Sequence, residues 1–194
     1  MSTTLAAPPV AERFCDLPLA FMPCEFRIKW ASADWEREQA QRLRRAVFCV
    51  EQGIFPGDDR DAIDAHAQPL VALSCVAGMP DQVVGTVRIH ADAEEAGCWW
   101  GSRLAVHPSF RLQARLASTL IALAVRSAHA CGSRRFLAHV QQQNVPLFQR
   151  LHWQPLGEET LHGRPHMRMQ ADLDFYPPCH DPIAGLAAHA GGRT

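Results

Sequence analysis

Tyrosine is nearly absent from this sequence: of 194 residues only Tyr176 is one, and it stands beyond the last strand-like stretch. That leaves no phenol to act as an acid elsewhere in the chain. Net charge is also missing, since 19 Lys and Arg against 20 Asp and Glu give −1, so no basic field argues for nucleic acid or an anionic membrane. No stretch approaches the roughly 18 apolar residues that span a bilayer. The opening MSTTLAAPPVAERF lacks a basic segment followed by an apolar core, so no secretory signal is expected. Seven cysteines form an odd, scattered set without a C-x-x-C pair. A disulfide framework or zinc knuckle would cluster them, so reduced, mostly buried thiols and a cytoplasmic location are expected.

What is present suits a soluble globular protein, with 47% hydrophobic and 20% charged residues. The length predicts one domain with a real core. Residues 1–24, rich in Ala and Pro, read as a loose arm, 25–176 as the domain, and 177–194, where Ala, Gly and His predominate, as a flexible tail. EFRIKWA (25–31) alternates Phe26, Ile28 and Trp30 with Arg27 and Lys29, the pattern of a half-buried strand. Asp34 offers an N-cap, and Ala40, Leu43, Val47 and Val50 recur at helical spacing, predicting an amphipathic helix over 34–50. An acidic loop with Gly and Pro follows, GIFPGDDRDAIDAHAQP. Segments 70–77 and 82–90 form a hairpin around GMPD, and 97–106 is a further strand. The longest helix, 112–131, is closed by Gly132. A strand at 135–140, a short helix at 145–152 opened by Pro146, and strands at 153–159 and 166–175 complete the series. An antiparallel meander followed by a β-α-β step is mixed α/β (α+β).

The stretch VHPSFRLQARLASTLI (106–121) joins the strand 97–106 to the longest helix. A helix N-terminus presents unsatisfied N–H groups and the positive end of its dipole, both suited to a phosphate. Glycine usually lets a ligand approach such a backbone closely, and this stretch has none. Ala114 and Ala117 are the nearest small substitutes, while Arg111 and Arg115 can supply charge. The competing reading is a surface helix start with two solvated arginines.

Three segments, in order, resemble the GNAT superfamily of N-acetyltransferases, over roughly residues 26–175. VHPSFRLQARLA sits where the family has a V-x-P turn and an R/Q-x-x-G-x-G/A loop. Arg111 falls on the arginine and Ala114 on the first glycine, with one extra residue before the helix. FLAHVQQQNVPLFQRLHW is similar to the family segment N-x-x-A-x-x-L-Y-E-K-L-G-F. LRRAVFCVEQGIF, followed by D-x-x-D-x-H-A, is similar to a subgroup akin to autoinducer synthases. Together the segments most resemble the nitrogen-starvation-associated N-acetyltransferase branch. The resemblance implies a GNAT fold, a mixed, mostly antiparallel central sheet flanked by helices and splayed between its fourth and fifth strands. It implies a metal-free N-acetyltransferase that passes acetyl from acetyl-CoA to the amine of a small metabolite by direct attack in a ternary complex. Many members pair, so a homodimer is the assembly it suggests.

By position, the resemblance assigns Leu104, Ala105 and Val106 backbone groups that hold pantetheine and polarise the thioester, an oxyanion-type role. Arg111, Leu112, Gln113, Ala114, Arg115, Leu116 and Ala117 would cradle the pyrophosphate. Gln141 takes the usual asparagine position, Asn144 the alanine position, and Phe148 the place where many members carry a tyrosine acid. Phenylalanine cannot protonate a thiolate. Water or another group must, unless a thiol with a cysteine-like pKa of about 8.5 leaves unaided.

The attacking amine also needs a base. Glu51, at the end of the first helix beside the acidic loop, is the first candidate, competing with a solvated carboxylate or an ion pair to Arg44 or Arg45. His139, fixed on its strand, is the second, competing with a plain packed histidine. Asp58, Asp59, Asp61 and Asp64 either attract a cationic amine or form a solvated, repelling loop. Trp99 and Trp100 fall on opposite strand faces, one for the core and one for an acceptor pocket. Cys49 reads as a buried thiol, and Gly163 with Pro165 denies His162 and His166 the helix that would align them for zinc. Two other functions fit: a non-catalytic acyl-CoA-binding module, given the missing glycines and tyrosine, and an autoinducer-synthase-like acyltransferase with a longer acyl donor.

Overall fold

Leu70, Val71, Ala72 and Leu73 are all fully buried, so the strand that carries them is covered on both faces. The computed structural model describes residues 23–113 and 115–190. Residues 1–22 of the expected arm, Ala114 and residues 191–194 lie outside the described residues. The elements run β1 (Glu25–Trp30), α1 (Asp34–Arg45), β2 (Gln68–Val76), β3 (Met79–Ala91), β4 (Cys98–Val106) and α2 (Leu116–Ala130), then β5 (Arg135–Gln141), α3 (Val145–Arg150), β6 (Trp153–Leu161), β7 (Arg164–Ala171) and β8 (Leu186–His189). They form one sheet in the order β6-β7-β5-β4-β3-β2-β1-β8. Every neighbouring pair is antiparallel except β4 with β5. This is the GNAT fold, as the sequence implied.

Alternation along β2 divides the core. Leu70 and Ala72 face α2 and α3 together with Ile28, Leu120, Phe136 and Phe148. Val71 and Leu73 face α1 together with Leu43, Val47 and Phe48. The parallel β4–β5 pairing is short: Cys98 to Gly101 match Arg135 to Ala138, and beyond them the two strands have no partners in each other. The sheet therefore opens between the C-terminal halves of β4 and β5.

Local chemistry shifts several expected boundaries. The α-helical hydrogen bonding of α1 stops at Arg45, and Ala46–Glu51 continues as a π-helical turn. The N-cap of α1 is Ala33, not Asp34. Glu36 closes that end, accepting from the Ser32 and Ala33 amides at 2.7 and 3.1 Å while pairing with buried Lys29 at 2.7 Å. Helix α2 starts at Leu116 and not at 112, because Arg111 and Gln113 donate backward to Pro108 and Phe110 in tight turns. No helix among the described residues is long and apolar enough to cross a membrane.

The expected flexible tail departs most. Leu186–His189 adds an eighth strand on β1, with Leu186 and Ala188 packed against the core. Gly185 makes the approach, at φ +70°, where an added Cβ would lie 2.1 Å from the Ile28 carbonyl oxygen. A G185A variant is expected to lose β8 from the sheet, which hydrogen exchange reads as lost amide protection between residues 186 and 189. An L-residue at such φ alone costs about 1–3 kcal/mol, so unchanged protection would place the strand's stability elsewhere.

Candidate active site

Where β4 and β5 part, a cavity of about 730 Å³ runs through the sheet. Its walls prove the passage: Ala138 and Val140 belong to the α2-side core, yet they share the cavity with His139 and Gln141 from the opposite face of β5. The floor is apolar, formed by Val87, Ile121, Ala124, Phe136, Phe148 and Trp153. The mouth on the α1 side is polar and aromatic, with His66, His90, Trp100, His139 and His162. Gln52, just past the π turn, receives a hydrogen bond from Gln141 at 3.1 Å and another from Arg164, so side chains bridge the opening.

β4 reaches this cavity with an irregular backbone. Thr86 pairs with Ala105 and Arg88 with Ser102, so Arg103 and Leu104 stand opposite Val87 alone. Arg103 takes φ +56° to make this bulge. A bulge leaves backbone groups outside the ladder, and here they face the side that β5 has vacated. His107 N–H bonds Val84 on β3, so strand alternation turns the Val106 and Leu104 carbonyls away from β3. The Val106 carbonyl accepts from Arg111 Nε at 3.2 Å. Leu104 lines the cavity, whereas Ala105 and Val106 bury their side chains in opposite core layers.

The loop after β4 obtains its turn without glycine by another route. Arg115, the residue before α2, sits in the left-handed region at φ +52° and is exposed. Arg111 does not stand free: it donates to Glu51 at 2.6 Å. Leu112 is almost wholly exposed, Gln113 half-buried, Leu116 buried in the core and Ala117 packed partly against it. None of these residues lines the cavity, so the loop borders it from outside.

The two base candidates separate. Glu51 is not part of the cavity wall and is held by Arg111. His139 is in the wall, stacked on Trp100 with ring centroids 4.8 Å apart, and its Nε2 lies 2.9 Å from Glu159 Oε2. Burial pushes the His139 pKa down, against the opposing pull of Glu159, while His166 and Arg168 lower it further. A neutral imidazole in that place can accept a proton. Trp100 is fixed in turn by its indole N–H donating to Asp92 at 2.7 Å, and Trp99 packs against the core. Gln141, Asn144 and Phe148 line the cavity; Phe148 lies edge-on to Trp153 with centroids 5.0 Å apart. Tyr176 is buried in the core, donating to the Leu151 carbonyl.

The acidic loop resolves into ion pairs that sequence reasoning did not assign. Asp59, Asp61 and Asp64 meet three arginines, Arg44, Arg88 and Arg103. Arg88, 2% exposed, grips Asp61 with two bonds of 2.7 Å and reaches Asp64 at 2.8 Å. Equal numbers of opposite charges neutralise one another here, so these carboxylates are not a field for a cationic amine. Asp58, at the surface, pairs with Arg60 at 3.6 Å. Cys49 is half-buried, and burial pushes its thiol pKa up, away from nucleophile chemistry. His162 packs edge-on against Phe55.

Known proteins repeat this architecture. A comparison with curated proteins gives no match. Among solved structures, ElaA of Escherichia coli is 18% identical at a TM-score of 0.63, covering 77% of this chain and 99% of its own. An acyl-CoA N-acyltransferase from Pseudomonas aeruginosa is 18% identical at 0.61, covering 76% and 99%. BjaI, a CoA-dependent acyl-homoserine lactone synthase solved with SAM and isopentyl-CoA, is 20% identical at 0.63, covering 76% and 83%. These likenesses speak to the fold, while the model described as Acetyltransferase (GNAT) family matches the sequence itself over residues 26–153. That match takes in the π turn, the bulged β4, α2 and β5, and the chain belongs to the acetyltransferase (GNAT) family.

Proposed function

We propose that the protein is an N-acyltransferase that moves an acyl group from acyl-CoA directly to the amine of a small metabolite, with acetyl-CoA as the donor its family suggests. The single observation that carries this is the cavity through the β4–β5 opening, with the bulged Leu104 backbone on one wall and neutral His139 on the other. The thioester carbonyl lies along the vacated edge of β4, polarised by backbone N–H groups. The loop ending at Arg115 and the start of α2 take the pyrophosphate from outside the cavity. The amine enters through the polar mouth, loses a proton to His139 and attacks; the carbon–sulfur bond breaks, and solvent protonates the departing thiolate. Residues 104–106, 111–117, 141, 144 and 148 are the donor-binding set in this reading, and His139 rather than Glu51 is the base. The cytoplasm suits the free thiols of the described residues, and the three segments that resemble the nitrogen-starvation branch support a metabolite acceptor.

A second reading keeps the chemistry and lengthens the donor. An acetyl group needs little of a cavity whose floor reaches Ile121, Ala124 and Trp153, whereas a longer acyl chain would fill it. Thiol release on mixing the protein with acetyl-, butanoyl- or octanoyl-CoA and an amine panel tests both. Turnover is expected, and the donor with the highest kcat/KM selects the chain length. Thermal stabilisation by CoA with no thiol release from any pair would instead mark a non-catalytic acyl-CoA-binding module.

A further inference from the structure

The geometry points to Glu159 as a positioning residue that fixes the proton of His139 on Nε2 and so makes Nδ1 the base atom. This rests on the reading of His139 as the base.

Two contacts hold the imidazole and a third aims one of them. Trp100 from β4 stacks on its face at an interplanar angle of 23°. Glu159 from β6 meets Nε2 at 2.9 Å. Arg168, on the strand between them, takes the other Glu159 oxygen at 3.3 Å and so aims the carboxylate. A carboxylate only accepts hydrogen bonds, so in the neutral ring the Nε2–H must donate to it. The lone pair then sits on Nδ1, on a side chain that lines the cavity. When Nδ1 takes the amine proton, the new carbon–nitrogen bond forms as the carbon–sulfur bond breaks. The resulting imidazolium lies against a negative charge already in place, which favours the step without any movement of the protein.

The charged and titratable groups around the ring come from β6 and β7. Glu159 raises the affinity of His139 for a proton, while His166 and Arg168 lower it, and burial lowers it most. Removing the Glu159 charge therefore moves the acid limb of the rate profile to lower pH. A carboxylate that merely braces the sheet would leave the limb where it is.

The test uses the full chain and two variants, E159Q and E159A, with thiol release followed against pH and ¹⁵N NMR of the histidine ring. E159Q keeps an oxygen that can accept from Nε2–H, so its limb is expected to fall by roughly half to one pH unit with little loss of kcat. E159A loses the tautomer lock as well, and kcat is expected to drop about 10–100-fold, as for other groups that orient a histidine. Binding of acyl-CoA stays unchanged in both. An unmoved limb in both variants, or a wild-type ring carrying its proton on Nδ1, overturns the assignment. If no donor gives turnover in the wild type, the proposed function fails; the NMR tautomer then decides the Glu159 pairing alone.

Discussion

Replacing Arg88 with leucine is expected to lower stability by about 3–5 kcal/mol, because it leaves Asp59, Asp61 and Asp64 to share the two guanidiniums of Arg44 and Arg103, with one negative charge in excess. The side chain is 2% exposed and makes four polar contacts: two to Asp61, one to Asp64 and one from Nε to Ser102 Oγ at 2.9 Å. For a chain of this size the melting temperature would fall by roughly 6–20 °C, readable by calorimetry. R88K should lie between, since an ammonium keeps the charge but cannot match Asp61 with two parallel bonds. The deficit has a pH signature. Burial raises the Asp61 and Asp64 pKa values, but hydrogen bonds from Arg88 and Arg44 outweigh it and hold both below the usual carboxylate range. A depressed carboxylate contributes stability above its unfolded pKa, about 3.9, and loses it as pH falls through the folded value. The gap between wild type and R88L is therefore widest near neutrality and narrows below about pH 4. A gap that stays constant from pH 7 to pH 3 would mean that Arg88 acts through packing alone. Activity should fall further than stability explains, since Asp61, Ile63 and His66 from the same loop form the cavity mouth.

That cluster also shows why sequence carried the fold further than the site. Alternation in EFRIKWA and the apolar runs of β2 and β3 are local signals, and they led to the right strands. The arginines that neutralise the acidic loop lie 15 to 44 residues from their partners, on three different elements. No spacing rule joins them. The partner of Glu51 was hidden for the same reason: its ion pair is with Arg111, 60 residues on, not with the adjacent Arg44 or Arg45. The π turn at Ala46–Glu51 keeps Val47 buried as its spacing predicted but turns Val50, expected on the same apolar face, out to 79% exposure, because the change of backbone period leaves no mark in the sequence. Composition hid β8, because Ala and Gly suit a tail and a tightly approaching edge strand equally well; only the room beside β1 decides. The positive φ of Arg115 was equally invisible, since arginine carries no preference for it.

Replacing His139 with glutamine is expected to lower kcat by about 10²- to 10⁴-fold, the range that a positioned general base supplies. Glutamine keeps a polar side chain on β5 beside Trp100, so acyl-CoA affinity and melting temperature should hold. The pH dependence separates loss of a base from loss of packing. Burial lowers the His139 pKa below its ordinary value of about 6.5, so the wild-type ring is neutral and active at pH 7 and becomes charged only as pH falls further. Wild-type kcat/KM should thus be flat near neutrality and drop on the acid side, while H139Q loses that limb and shows a low, pH-independent rate. E51Q provides the contrast: its carboxylate lies outside the cavity wall in contact with Arg111, so its loss should raise the KM for acyl-CoA through the loop and leave the acid limb intact. A collapse of kcat in E51Q, with H139Q near wild type, would exchange the two roles. It would also move the amine to the outer side of the π turn, where the cavity does not reach.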